Sequence, residues 1–191
     1  MRHLFIFSCV ALLSASQRAF ADSDAATRSL FDAVAADDAE RIRAAVSQGA
    51  ALNAQSPGDG QTPLMRASLQ GRVSAVRALL ALGADATIGE KDGYTPLHGA
   101  AFQGRAEAAR ALLADARVPN ERHRDGFFPI HRACWGRDER YGATVRAFLE
   151  AGEPLERRDK EGNTVLEVAR RVGNPRVLDV LTQWGGAGEE L

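Results

Sequence analysis

The phrase Tyr94-Thr95-Pro96-Leu97-His98-Gly99-Ala100-Ala101 returns 33 residues later as Phe127-Phe128-Pro129-Ile130-His131-Arg132-Ala133-Cys134. It is anticipated 33 residues earlier by Gln61-Thr62-Pro63-Leu64-Met65-Arg66-Ala67-Ser68. A unit of this length cannot bury its apolar face alone, so the copies must stack, each touching only its neighbours. Within the phrase, Thr95 is a good N-cap and Pro96 suits the first helical position, where its missing N–H costs nothing.

A period of 33 residues carrying a T-P-L-H phrase is the mark by which this chain resembles the ankyrin-repeat family. The resemblance runs from about residue 22 almost to the end. It implies an all-α solenoid of stacked helix pairs joined by short hairpin fingers. Three clear repeats would be flanked by degenerate N- and C-terminal capping repeats. The expected units are about 27–60, 61–93, 94–126, 127–162 and 163–186, with 187–191 as a flexible tail.

Helical periodicity fills in the units. In the third, Leu97, Ala100 and Ala101 give a narrow inner-helix face, and Gly104 stops that helix. Ala106 to Ala114 is the outer helix, with Ala109, Leu112 and Leu113 turned inward and Pro119-Asn120 closing it. Glu121 to Gly126 reads as the finger to the next unit. The fourth unit is three residues longer than the third, and Arg137 to Gly142 is read as the loop that holds the insertion. The terminal pairs, 27–36 with 40–49 and 164–173 with 175–184, lack the full phrase, as capping units do.

Residues 1–21 read as a signal peptide: a basic start at Arg2 and His3, an apolar run from Leu4 to Leu13, and an Ala19-Phe20-Ala21 cleavage site. Export to the periplasm or outside the cell follows. A retained anchor, a eukaryotic secretory route and a plastid-type presequence are the alternatives. Asp22 and Asp24 argue against the last, because transit peptides are poor in acids. After cleavage no segment is long and apolar enough for membrane insertion. The whole chain carries a formal charge of −1, which offers no electrostatic footprint for nucleic acid. Of the two cysteines only Cys134 survives cleavage, so no internal disulfide can form.

Catalytic signatures are absent: no G-x-S-x-G, no H-E-x-x-H, no P-loop and no paired CxxC. The expectation is therefore a non-enzymatic, monomeric module that binds another protein, with no cofactor and no metal. The resemblance implies that partners touch the concave face and the finger tips. Two rows of residues ladder there at the repeat spacing. Gln61, Tyr94 and Phe127 precede the T-P phrase, and Leu69, Phe102 and Trp135 lie near the end of the inner helix. The repeat period should stack Tyr94 on Phe127 and Phe102 on Trp135, on slots where the fold needs no large apolar side chain. Lys91, Asp92, Arg124 and Asp125 at the finger tips would form a charged rim, and Gln103 completes the candidate partner-binding set. Exposed aromatic residues of this kind are enriched among binding hot spots.

Two rival readings are kept. One is a redox- or metal-linked enzyme or accessory using His98, His131 and Cys134. Burial of all three would count against it. The resemblance makes each histidine a structural hydrogen-bonder between loops, and Cys134 stands where Ala101 packs between helices. The other rival is a self-associating structural module.

Overall fold

The computed structural model describes residues 24–187. The expected signal segment lies outside the described residues. Ten helices run in pairs among them. The inner helices are α1 (residues 24–35), α3 (Pro63–Gln70), α5 (Pro96–Phe102), α7 (Pro129–Ala133) and α9 (Val165–Val172). The outer ones are α2 (Ala39–Ser47), α4 (Val73–Ala81), α6 (Ala106–Leu113), α8 (Arg140–Glu150) and α10 (Pro175–Ala187). Inner packs on inner from α3 to α9, and outer on outer from α2 to α10. The result is an all-α solenoid two helices deep. Among the described residues the closest thing to a strand is one antiparallel bridge between Arg158 and Thr164.

The repeated apolar positions explain the stacking. Leu64, Leu97 and Ile130 stand one period apart on the inner helices and are fully buried. Val76 and Leu79 on α4, Ala109 and Leu112 on α6, and Val145 and Phe148 on α8 fill the matching buried positions of the outer layer, the last step lengthened by the three-residue insertion. Each large side chain removed from water here contributes about 1.5–3 kcal/mol. Ala67, Ala100 and Ala133 on the inner row are buried and small, which lets inner helices lie close.

Some expected element ends shift. The α6 helix keeps its expected span, ending at Leu113 with Ala114 as its cap, but Pro119 lies beyond that cap and does not close it. The insertion of the fourth unit is not a simple loop. The α8 helix begins at Arg140, inside the expected loop, and reaches eleven residues, while α7 shrinks to five. Asp138 forms a turn just ahead of that start, its carboxylate accepting from the Arg140 backbone N–H at 3.2 Å. The last helix continues through Gly185 to Ala187 rather than ending at Trp184.

Units are tied by side chains that finish their neighbours' helices. The carbonyls at the end of an inner helix have no partner within it. Arg105 donates to the Leu69 carbonyl at 3.1 Å, and Tyr141 donates to that of Phe102 at 2.9 Å. In the segment between α7 and α8, Asn174 donates to the carbonyls of Gly136 and Asp138 at 2.8 and 3.0 Å. At the opposite end of the molecule, Asp37 accepts from the Ala75 N–H in the first turn of α4 at 2.8 Å. The fingers are glycine turns, in which Gly93 and Gly126 donate to the carbonyls of Glu90 and His123 at 2.7 and 2.8 Å. Successive fingers are joined by the N–H groups of Lys91 and Lys160, which donate to the carbonyls of Asp59 and Gly126 at 3.0 Å each.

Candidate functional site

The inner-helix face carries a run of matched positions, Arg66, Gly99 and Arg132, one period apart. The two arginines behave alike. Arg66 lies 4.8 Å over the ring of Phe31 in the preceding unit, and Arg132 lies 4.9 Å over that of Tyr94. Between them Gly99 has no side chain to extend, and a groove of about 460 Å³ opens at this place. A Cβ added at Gly99 would sit 3.1 Å from Leu69 Cδ2 and 3.2 Å from Met65 Cε, so those two side chains form one bank. Phe102, Tyr94 and Trp135 form the others, and the polar rim consists of Gln61, Glu90 and Gln103. Phe102 is 49% exposed, the more open of the two exposed large hydrophobic residues among the described residues. The gap in the arginine row was visible in the sequence as a glycine inside an otherwise helical phrase, and it is the signal that reading for aromatic residues alone misses.

The far side of the groove is held by a charged cluster. Arg132 is buried, ion-paired with Asp125, and donates to the Tyr94 hydroxyl at 2.8 Å. The Tyr94 hydroxyl in turn donates to Asp125 at 2.7 Å. The guanidinium also lies 4.1 Å from the Trp135 ring centroid and 5.2 Å from that of Phe127. A delocalised cation between aromatic faces is a favourable cation–π arrangement.

This arrangement corrects three expectations. The ladder rungs are not ring on ring. Tyr94 stacks on His123 with centroids 4.0 Å apart, Phe127 meets Trp135 edge-on at 5.0 Å, and Arg132 occupies the space between the two pairs. Asp125 is not a free rim charge either. It is half-buried and serves Arg132, Tyr94 and the Phe127 N–H. Trp135 packs against the core, so the fold does use this slot in the fourth unit.

The remaining sequence candidates divide. Leu69, Tyr94, Phe102, Gln103 and Trp135 come together on the groove. Phe127 lies behind Trp135, facing a second hollow of about 380 Å³ with Arg137, Glu161 and Arg171. Lys91 and Asp92 are exposed at the finger tip, and Arg124 lines a shallow cleft of the fingers on their other side. Met65, Glu90, Gly99 and Arg132 were missed as site residues.

His98, His131 and Cys134 are all buried, at 4%, 0% and 0% exposure. His98 bonds to the Thr95 hydroxyl through Nδ1 at 2.9 Å. Burial holds its pKa down to about 4, against a weaker pull upward from the Phe127 backbone. His131 Nε2 shares a hydrogen bond with the Arg157 carbonyl at 3.2 Å, linking the fourth unit to the next finger. Phe128 stands where Thr95 stands in the unit before, so His131 Nδ1 has no matching hydroxyl and is left without a partner. Cys134 is enclosed, and its thiol is pushed up to about 12 by burial, far from the thiolate that reactivity needs. Among the described residues no group of three or more His, Cys, Asp or Glu could hold a metal ion, and no helix is long and apolar enough to cross a membrane.

A family model described as ankyrin repeats (3 copies) matches residues 30–122, which takes in the first three units and the groove's floor. No curated protein matches the chain.

Proposed function

The chain belongs to the ankyrin-repeat proteins, and from that premise we propose that it is a non-enzymatic binding protein of an exported compartment, holding one partner protein on its concave face. Ankyrin repeats generally mediate protein–protein interaction, which supports the class of function. The single observation that carries the reading to a place is the groove at Gly99. It joins an open apolar ring, Phe102, to half-buried aromatic walls and a polar rim, the composition of a specific interface. Neither the redox nor the metal-linked reading has an observation of this kind behind it, since its three residues are enclosed.

Export rests on the segment 1–21, and monomeric behaviour on the rule that the end units of a solenoid carry polar outer faces. Mass analysis of the natural protein tests the first, with Asp22 as the expected new N-terminus. Light scattering tests the second.

The binding reading is tested by capture from the native exported fraction with the wild-type chain, Phe102→Ala and Gly99→Arg in parallel. A partner retained by the wild type and lost from both variants, each folded by circular dichroism, supports it. A partner held equally by all three places the binding surface elsewhere.

A further inference from the structure

The two hollows on either side of the Phe127–Trp135 wall carry opposite unspent charge. In the first, the Arg132 cation is already neutralised by Asp125. That leaves Glu90, half-buried on the rim, whose carboxylate accepts only from the Asp92 N–H at 3.2 Å and has no cation beside it among the described residues. In the second, Glu161 is matched by Arg171 at 3.4 Å, and Arg137 is exposed with no acid against it among the described residues. A carboxylate in a partly desolvated apolar setting is costly to leave unpaired, so an occupant that brings a cation gains most there.

We propose that the face takes an extended segment of a partner protein with three features in register. A large apolar side chain enters the hollow over Gly99, a Lys or Arg beside it meets Glu90, and an Asp or Glu farther along, past the Trp135 ring, meets Arg137. The glutamine amides of Gln61 and Gln103 on the rim suit the peptide groups of such a segment. The geometry favours an extended chain over a folded surface because the aromatic wall divides the face into two pockets rather than one flat patch. The inference rests on the reading of the concave face as the partner site.

The test is selection of a random linear peptide library on the full chain, followed by anisotropy titration of the enriched peptides. Expected is enrichment of an apolar residue next to Lys or Arg, with an acid beyond. Glu90→Lys and Arg137→Glu, each checked for an unchanged circular dichroism spectrum, should each lower the affinity of those peptides about tenfold, the usual scale for turning an attractive charge pair repulsive. Gly99→Arg should abolish binding. Failure to enrich any peptide, enrichment without a basic preference, or affinities unmoved by both charge reversals would each overturn the inference. If a natural protein is still captured in a Gly99→Arg-sensitive way while no peptide binds, the segment falls and the binding face stands. If Gly99→Arg alters neither, both fall.

Discussion

Arg132 and Asp125 form an ion pair that is also the centre of the aromatic cluster, because the same guanidinium donates to Tyr94 and lies against Trp135. Such a pair is more costly to break than to lack. Arg132→Met should destabilise by about 2–3 kcal/mol, and Asp125→Asn by about 1–3, less because Asp125 is partly solvated. A double-mutant cycle by urea unfolding should return a coupling of at least about 1 kcal/mol. Additive single effects would mean the two groups do not depend on each other.

Phe102 and Trp135 share a row in the sequence and differ in what they do. Phe102→Ala should change stability by less than about 1 kcal/mol, since half of the side chain is already in water. Trp135→Ala should cost about 2 kcal/mol, because it uncovers Arg132 and Phe127. Thermal melts of the two variants decide it. Equal losses would mean that Trp135 has no bracing role.

Stability should fall as the solution is acidified through the histidine range. The buried His98 has its pKa depressed to about 4 from 6.5 in the unfolded chain, and His131 shifts the same way. The unfolded state therefore binds more protons between these values, and stability is lost as pH drops from about 6.5 toward 4. The His98 contribution is roughly 1–3 kcal/mol. Urea midpoints against pH should flatten over this window in His98→Leu. Glu153 works in the opposite sense, since burial raises its pKa and stability tied to its neutral form is lost as pH rises past it.

Thr95→Val removes the hydroxyl that serves His98 Nδ1 while keeping the shape, and should cost about 1–2 kcal/mol. The same hydroxyl does not cap α5, in contrast to Thr62 and Thr164, whose oxygens accept from the N–H groups of Met65 and Glu167 at 3.1 and 3.3 Å. The loss should therefore appear with His98 present and shrink in a His98→Leu background.

Gly126 and Gly152 both have positive φ, at 97° and 88°, but only Gly126 is pressed against a neighbouring side chain, Lys160. Gly152→Ala should cost about 1 kcal/mol for backbone strain alone. Gly126→Ala should cost more, about 2–3, because Lys160 must move as well. Equal melting temperatures would show that the finger contact is soft.

The stack was legible from residues whose role repeats: Pro63, Pro96 and Pro129 start successive inner helices, and Leu64, Leu97 and Ile130 fill successive core slots. Periodicity says which residues occupy equivalent places, and the places proved equivalent. It does not say which way a long side chain leans. Arg132 reaches back over Tyr94 instead of out to solvent, and Asp125 turns in from the finger to meet it, so the rings are separated where spacing alone stacks them. The groove was missed for a related reason: it is made by what Gly99 lacks, and only comparison with Arg66 and Arg132 in the same slot reveals it. The longer α8 helix was hidden because a three-residue insertion gives no hint whether it extends a loop or a helix.

The side chains that close the ends of α3 and α5 and the segment between α7 and α8 come from later in the chain. Arg105, Tyr141 and Asn174 reach back 36, 39 and 38 residues to carbonyls of the unit before. A polypeptide that emerges N-terminus first therefore carries each new helix pair with an open end until the following unit has been made. At these three joints each arriving unit completes its predecessor, whereas Asp37 of the first unit serves α4 of the second in the forward direction. Loss of the last helix pair would reach beyond the residues removed, since Asn174 leaves with it and the carbonyls of Gly136 and Asp138 lose their donor.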